Sequence, residues 1–295
     1  MAELVLDPPL ALTSRLAAAL RRGGARLWIG AALVAILVLV ALFAPLIAPH
    51  DPVEQDLMSA QLPPAFVQGG EAAYPLGTDS LGRCVLSRLI YSARIAVVVA
   101  LIAATLAALI GIALGLFAGS FAGWVDQAIS RLIDVWMAFP PVLLSIVLAA
   151  VIGAGLTSVI AAIVVVDWTR FARVVRAETM VQLKRDYAAA ARVIGLTRSA
   201  TLRLEILPNL VPLLVTLLAV EMGIAILVEV ILSFVGISVA GDTATWGSMI
   251  AEGRQIVYQA PWIMALPIGC IITSVIGLNL LGDGLRLALD PVQRR

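Results

Sequence analysis

The chain has 295 residues, of which 61% are hydrophobic and 13% are charged, whereas a soluble domain has about 25% charged residues. So few charged side chains cannot cover a water-facing surface of this size. The high apolar content also excludes a disordered chain, and two cysteines are too few for a disulfide scaffold of this length. The composition therefore predicts an all-α, polytopic membrane protein.

Six apolar runs in the chain are long enough to form transmembrane helices, since a bilayer core about 30 Å thick needs roughly 20 apolar residues per helix. Near the start of the third run, Pro140 and Pro141 should kink or break the helix, because neither has an amide donor. The predicted spans comprise residues 27–47, 95–125, 128–152, 156–172, 210–237 and 257–280.

The distribution of Lys and Arg predicts the orientation, because these residues are enriched in cytoplasmic loops. A cytoplasmic N-terminus places 16 of the 20 basic residues inside the cell and four outside, and the inverted orientation would reverse this bias. We therefore expect both termini in the cytoplasm, as an even number of spans requires. The four outer residues are Arg83, Arg88, Arg94 and Arg254.

The spans divide the chain into five segments. Within the long outer loop, the amphipathic stretch 85–90 is predicted to form a helix that lies along the membrane interface. The predicted segments are a cytoplasmic N-terminal segment (1–26), a first transmembrane helix (27–47), an extracytoplasmic loop with the interfacial helix (48–94), a core of five transmembrane helices (95–285) that includes a cytoplasmic loop (173–208), and a cytoplasmic tail (286–295).

The residue content argues against an enzyme. Lys184 is the only lysine and follows Leu183, so the phosphate-binding pattern G-x-x-x-x-G-K-[ST] is absent. His50 is the only histidine, which excludes HExxH motifs, histidine-rich metal sites and Ser-His-Asp triads. No basic cluster lies on a soluble face, so we expect no nucleic-acid partner. We expect no catalytic residue and no metal site, which makes transport the leading class.

The cytoplasmic loop has the pattern of a helix, a glycine turn and a second helix. Apolar residues recur at helical spacing from Glu178 to Ile194, and Gly195 permits the left-handed conformation that stops a helix. Ser199 is predicted to cap a short second helix that ends at Pro208. The pattern leaves two interpretations open: a loop that packs on its own bundle, or a docking surface for a soluble partner.

Residues 187–195, Tyr-Ala-Ala-Ala-Ala-Arg-Val-Ile-Gly, followed by Ile-Leu-Pro at 206–208, resemble the EAA loop of ABC importer permeases. In that family the loop forms the coupling helix, which sits in a cleft of the ATPase subunit. Ala189 replaces the family's glutamate, so any ion pair that the glutamate makes is lost here. The resemblance implies ATPase coupling by Tyr187, Ala189, Ala190, Ala191, Arg192, Gly195, Leu207 and Pro208.

Four further blocks resemble, in the same order, the dipeptide/oligopeptide/nickel branch of these permeases. They match the second, "C-type" transmembrane subunit, and the resemblance covers residues 27–291. It implies the type I ABC importer permease fold in the bacterial cytoplasmic (inner) membrane. The blocks are Pro75–Arg83 with Val85–Tyr91, Leu232–Ile237, Trp246–Ile250, and Asn279–Arg286 with Leu289–Pro291.

The same resemblance implies a function and a set of partners. The chain would be the permease subunit of an ATP-driven importer of di-, tri- or oligopeptides. It would form a heterodimer with a homologous permease subunit, contact two cytoplasmic ATPases that bind ATP and Mg, and receive substrate from an extracytoplasmic binding protein. The chain itself would bind no cofactor. The alternatives are a permease for nickel or another small ligand of the same branch, and an ion-coupled secondary transporter.

Two carboxylates, Glu221 and Glu229, interrupt the fifth predicted span. A carboxylate at membrane depth costs at least ~2.5 kcal/mol, so both should face the bundle or a wet cavity. We consider two roles: a protonated or hydrogen-bonded structural carboxyl group, or a residue that lines the translocation pathway and meets a substrate amine or cation. Asp167 and Arg170, three residues apart, are predicted to pair near the cytoplasmic boundary.

Four glycines recur at every fourth position along the second predicted span. This spacing places them on one stripe of the helix, where the missing side chains allow another helix to approach closely. We therefore predict a helix-packing stripe formed by Gly111, Gly115, Gly119 and Gly123, with a sliding contact used in gating as the alternative.

Overall fold

The computed structural model describes residues 23–121, 123–239 and 243–289, and in these ranges the chain is all-helical. A 3-10 turn at Leu57–Ser59 lies in the outer loop, and a π-helical turn at Leu202–Ile206 precedes a long helix. The helices are α1 (Gly24–Leu42), α2 (Ala44–Ile47), α3 (Val85–Ser120), α4 (Trp124–Met137), α5 (Pro141–Ile152), α6 (Leu156–Gln182), α7 (Asp186–Val193), α8 (Arg198–Thr201), α9 (Leu207–Phe234), α10 (Trp246–Gln255) and α11 (Trp262–Leu289).

Four helices of the described chain are long and apolar enough to cross a membrane: α1, α3, the continuous helix Arg198–Phe234, and α11. Helices α4 and α5 add a fifth if they form one broken span. Helix α6 is long as well, but Asp167, Arg170 and Arg173 interrupt its apolar sequence. By length and composition the described residues therefore contain four or five spans, against the six that we expected.

Helices α4 and α5 are bent by 86° relative to each other. The break lies at the two prolines, because α4 ends at Met137 and Pro141 is the first residue of α5. A proline is tolerated at this first position, where its missing N–H would have no partner within the helix.

Helix α3 lies at the centre of the bundle. It packs most extensively against α6 and also contacts α1 and α9. Its buried face consists largely of alanine and glycine, including Ala96, Ala103, Ala107 and Gly111, so neighbouring backbones approach it closely. The packing of this subunit therefore depends on small residues, as is typical when helices associate in lipid.

The prediction of a separate interfacial helix at 85–90 is wrong, because these residues form the first turns of α3. Val85 and Leu89 are buried, and the Trp246 indole of α10 donates a hydrogen bond to the Leu89 carbonyl at 3.3 Å. The amphipathic pattern was real, but a second protein helix covers its apolar side.

The prediction that the second helix of the cytoplasmic loop ends at Pro208 is also wrong. Thr197, rather than Ser199, caps α8 by accepting a hydrogen bond from the Ala200 amide at 3.3 Å. The helix then continues through the π-helical turn into α9, and Pro208 lies in the first turn of α9. The wider turn changes the hydrogen-bonding register just before Pro208, so that a residue without an amide donor fits into a continuous helix.

Candidate functional site

The predicted cytoplasmic loop folds into a short helix with a well-defined end. We call residues 186–196, which comprise α7 and its cap, the inner element. Gly195 has a φ of +88°, and its amide donates to the Arg192 carbonyl at 3.1 Å. The Leu196 amide donates to the Ala191 carbonyl at 3.1 Å, which completes a Schellman motif. A glycine is needed at this position because an L side chain rarely adopts this conformation.

One face of α7 packs on the rest of the chain. Ala188 is fully buried and Ala191 nearly so, and Ala188 belongs to an apolar cluster with Val175 of α6 and with Ile206 and Leu210 at the start of the long helix. The inner element is therefore fixed to both α6 and α9, and Ala191 lies on its inward side.

The opposite face of α7 is open. Ala189, Ala190 and Arg192 are exposed, and the apolar side chains of Val193 and Ile194 are 87% and 77% exposed. Two neighbouring branched apolar side chains in this position are available to a partner protein. Among the predicted coupling residues of α7, Ala189, Ala190 and Arg192 are therefore exposed, whereas Ala191 is buried on the opposite face.

Polar contacts join α7 to the end of α6. The Tyr187 hydroxyl donates to Gln182 Oε1 at 2.7 Å. Burial, together with the negative charge of Glu205, raises the pKa of Tyr187 above its usual value, so the hydroxyl keeps its proton. Arg192 donates to the carbonyls of Ala188 and Leu183 at 3.2 and 3.1 Å, which bridges the break between the helices.

Leu207 and Pro208, the last two predicted coupling residues, lie in the first turn of α9 and not on α7. Leu207 is partly buried and Pro208 is exposed. The π-helical turn just before Leu207 and Pro208 contacts α7. The two residues therefore lie directly after the segment on which the inner element packs.

Three of the four predicted packing glycines lie where α3 meets α6. A Cβ atom on Gly111 would be 2.4 Å from the Trp168 carbonyl oxygen, and one on Gly115 would be 2.8 Å from the Ala172 carbonyl oxygen. On Gly119 it would again lie 2.8 Å from a carbonyl oxygen of α6. These glycines therefore form a packing stripe within this subunit.

The prediction is wrong for Gly123. This residue lies beyond the end of α3 and precedes α4, with a φ of +95° and no atom within 4 Å of the position that a Cβ would occupy. Gly123 keeps the four-residue spacing, but it lies in the turn between α3 and α4 and not on the packing stripe.

Both carboxyl groups of the fifth predicted span are inside the subunit. Glu229 is 1% exposed, and its Oε1 accepts hydrogen bonds from the Ser233 and Ser238 hydroxyls at 2.5 and 3.3 Å. The Ser238 carbonyl in turn accepts from the Gly155 amide at 3.0 Å, which fixes the loop after α9 to the start of α6. Glu221 is fully buried between α9 and α6. These positions favour a role inside the bundle over contact with a passing substrate.

A second polar site, which the sequence did not reveal, lies where the predicted outer loop and the start of α3 meet α10. We call Asp79, Arg83, Arg88 and Glu252 the outer ion cluster. Arg83 contacts Asp79 at 2.7 Å and Glu252 at 2.8 Å, and Arg88 contacts Glu252 at 2.6 Å and also pairs with Asp79. Two cations and two anions balance, which allows Asp79 and Arg88 to be almost fully buried.

The outer ion cluster joins the outer loop, α3 and α10. In the sequence, Arg83 and Arg88 stand out only as outer charges, because Arg88 and Glu252 are 164 residues apart. The spacing of four between Asp79 and Arg83 was the one local signal.

Comparison with known proteins gives the family. Residues 111–295 match the model of the binding-protein-dependent transport system inner membrane component, and residues 26–64 match that of the N-terminal TM domain of oligopeptide transport permease C. The chain is 40% identical over 259 residues to the di/tripeptide transport system permease protein DppC of Pseudomonas aeruginosa, which covers 87% of this chain and 84% of the relative.

Two other relatives are similar over comparable lengths. The dipeptide transport system permease protein DppC of Escherichia coli K12 is 40% identical over 89% of this chain and 88% of its own length. The glutathione transport system permease protein GsiD of Shigella dysenteriae is 37% identical over 88% of this chain and 84% of its own length. The chain therefore belongs to the family of inner-membrane components of binding-protein-dependent transport systems, in the branch of C-type peptide ABC permeases.

Proposed function

We propose that this chain is the transmembrane permease subunit of an ABC importer that moves di-, tri- or oligopeptides into the cell. The observation that carries the proposal is the 40% identity, over most of both chains, to two permeases named for dipeptide or di/tripeptide transport. The exposed apolar face of the inner element supports it, because a pore subunit without a phosphate-binding loop of its own needs a surface for an ATPase.

A second candidate substrate is glutathione. It is favoured by the 37% identity to a permease named for glutathione transport. Nickel, which the sequence resemblance left open, has no such relative among those described above. An ion-coupled secondary transporter is disfavoured, because the family works with a binding protein and because Glu221 and Glu229 are closed in by protein.

We propose six transmembrane spans with both termini in the cytoplasm, one span more than the apolar helices provide. The additional span is α6, whose first eleven residues are uncharged and whose Asp167 is covered by protein. With α4 and α5 as one broken span, the chain then alternates between the two sides. This arrangement places the inner element on the side with 16 basic residues and the outer ion cluster on the other.

The partners in this proposal are a homologous permease subunit, two cytoplasmic ATPases that hold ATP and Mg, and an extracytoplasmic substrate-binding protein. Tyr187, Ala189, Ala190, Arg192 and Gly195 would present or shape the ATPase-coupling surface. Ala191 would support it from below, and Leu207 and Pro208 would continue it at the start of α9. Within this scheme the chain itself holds no nucleotide, no metal and no nucleic acid.

The contacts of the inner element suggest how ATPase movement would reach the membrane. α7 shares an apolar cluster with Val175 of α6 and with Ile206 and Leu210 near the start of α9. A displacement of α7 would therefore move both α6 and α9 at the same time. The Schellman motif at the end of α7 and the hydrogen bond from Arg192 to the Leu183 carbonyl fix the conformation of the inner element, so it would move as a rigid unit, a lever between the ATPase and the membrane. No covalent step is required of this chain.

The proposal is tested by reconstituting the complete importer in proteoliposomes with its binding protein outside and ATP within. We expect ATP-dependent uptake of a labelled dipeptide or tripeptide. Faster uptake of glutathione than of unmodified peptides would select the second candidate. Uptake of Ni²⁺ without uptake of any peptide would refute both.

A further inference from the structure

Three ionisable side chains meet where α6 packs against α9. We call them the buried triad: Asp167 and Arg170 on α6, and Glu221 on α9. Asp167 is 2% exposed and Glu221 is fully buried, whereas Arg170 is partly exposed. The Arg170 guanidinium is 3.8 Å from an oxygen of each carboxyl group. This distance allows electrostatic attraction but is too long for a hydrogen bond.

Within the described residues, most oxygens of the two carboxyl groups lack a hydrogen-bond donor. In the described part of the chain, both oxygens of Glu221 and Oδ2 of Asp167 are buried without a hydrogen-bond partner. Both carboxyl groups lie against the same Arg170 guanidinium, which brings them together at one site. An ionised carboxylate only accepts hydrogen bonds, so two ionised groups would present unpaired acceptors to each other. Each unsatisfied buried acceptor costs about 1–3 kcal/mol, and more for a charged group.

The charge balance of the triad also argues against two ionised carboxylates. Two carboxylates and one guanidinium would leave one uncompensated negative charge inside the subunit, and neighbouring carboxylates in one site do not both ionise readily. One proton removes the excess charge and supplies the missing donor.

No other charged group on the neighbouring helices, within the described residues, faces the triad. On α3, Arg88 and Arg94 lie at the outer end of the helix, and Arg88 is in the outer ion cluster. On α11, Asp283 and Arg286 are exposed. On α4, Asp126 pairs with Arg176, and Arg131 is exposed. On α9 itself, Glu229 is eight residues away and accepts from two serines. On α4, Asp134 pairs with Arg173 on the outside of the bundle, and α5 has no ionisable residue. On α10, Glu252 belongs to the outer ion cluster, and Arg254 lies over the Phe234 ring.

We propose that Asp167 and Glu221 share a single proton, so that the buried triad is an electrically neutral proton-binding site between α6 and α9. The proton is bonded to one carboxyl group and donated in a hydrogen bond to the other, which stays ionised and faces Arg170. This inference concerns residues within the subunit and does not depend on which substrate is transported.

The position of the triad gives the proton a structural consequence. Helix α6 leads into the inner element and α9 leads out of it, so the shared hydrogen bond joins the two helices that flank α7. Removal of the proton would replace this bond by repulsion between two carboxylates.

Infrared spectroscopy of the complete purified complex tests the proposal directly. We expect a carbonyl band of a protonated carboxyl group at neutral pH that disappears in Glu221→Gln and also in Asp167→Asn, because in each variant the remaining carboxyl group ionises against Arg170. Glu229→Gln is the control and should leave this band unchanged. A wild-type spectrum with no band that the two triad variants remove would overturn the proposal. So would a half-intensity band in each variant, which would mean two protons.

The melting temperature as a function of pH is the second readout. The folded protein holds a proton that the unfolded chain has already released in mild acid. Its stability should therefore fall as the pH rises from mildly acidic values to the pH at which the triad itself loses the proton. Glu221→Gln should lose this triad-specific fall, because the amide N–H donates in place of the proton. Equal pH dependence in wild type and Glu221→Gln would contradict the proposal. Rescue of the wild type at alkaline pH by NaCl but not by choline chloride would instead indicate a sodium ion and would also overturn it.

Discussion

Gly111 lies at a close contact of α3 with α6, where a backbone carbonyl and the Phe171 Cβ are both 2.4 Å from a potential Cβ. Gly111→Ala must therefore push two helix backbones apart. We expect it to destabilise the subunit by about 1–3 kcal/mol, the usual range for overpacking. Gly269→Ala on α11 is the control, because no atom lies within 4 Å of its Cβ position. Thermal unfolding of the purified complex should separate the two, and equal melting temperatures would show that α3 and α6 are not in close contact.

At Glu229 the structure predicts the result of a charge-removing mutation. Gln keeps the side-chain oxygen that accepts from Ser233 and Ser238, so Glu229→Gln should assemble normally. Because the carboxyl group is 1% exposed, we expect neutral and basic peptides to be affected equally, with uptake rates close to those of the wild type. Glu229→Leu leaves two hydroxyls unpaired and should lower the yield of the folded complex. A selective loss of basic-peptide uptake in Glu229→Gln would place this residue in the pathway instead.

At the scale of elements, the outer ion cluster should decide how firmly the outer loop is held. Arg88→Met leaves the buried Asp79 with Arg83 as its remaining cationic partner in the cluster, and breaking a buried ion pair costs about 3–5 kcal/mol. We expect about 3 kcal/mol here, because Glu252 is partly exposed and can be hydrated. The matched control is Arg94→Met on the same helix, where the side chain is exposed. Limited proteolysis of residues 48–84 should accelerate in Arg88→Met alone, and equal rates in both variants would refute the structural role.

The Schellman end of α7 gives a test of the lever. Gly195→Val forces a β-branched residue to a φ of +88°, which costs about 1–2 kcal/mol and should misplace the end of the inner element. Gly195→Asn is the control, since Asn tolerates this conformation, and no atom near the Cβ position obstructs either side chain. ATP-driven uptake at equal expression should fall in Gly195→Val and be largely kept in Gly195→Asn. If both variants lose uptake equally, the side chain rather than the backbone conformation matters.

The elements show where reasoning from sequence succeeded and where it failed. The proline break between α4 and α5 and the glycine end of α7 depend on local backbone chemistry, and the structure has both. The stretch 85–90 and Pro208 were assigned incorrectly because tertiary context decided both: α10 covers the apolar side of the first, and a π-helical turn accommodates the second.

For the whole molecule, composition alone predicted an all-helical membrane protein, because an apolar fraction of 61% leaves few alternatives. Contacts between residues that are far apart in the sequence could not be predicted from the sequence alone. Glu221 was seen as a lone carboxylate in a span, and its contact with Arg170 on α6 emerges only when the two helices pack together. The same holds for Arg88 and Glu252. Charge patterns along a chain indicate which residues need partners but do not identify them.

The open face of α7 is, in the proposed function, the surface on which an ATPase docks, and Ile194 is the residue at which to test it. Its side chain is 77% exposed, so Ile194→Asp should leave folding within about 0.5 kcal/mol of the wild type. A carboxylate in an apolar interface should weaken ATPase binding at least about tenfold, equivalent to about 1.4 kcal/mol. Ser199→Asp, also exposed on the same loop but beyond the inner element, adds the same charge as a control.

The decisive measurement is the affinity of the purified ATPase subunits for the proposed permease heterodimer in nanodiscs, with wild type compared against Ile194→Asp and Ser199→Asp. We predict that Ile194→Asp retains its permease partner but binds the ATPases at least about tenfold more weakly, while Ser199→Asp binds them like the wild type. Unchanged ATPase affinity in Ile194→Asp, with the heterodimer intact, would contradict the assignment of this surface.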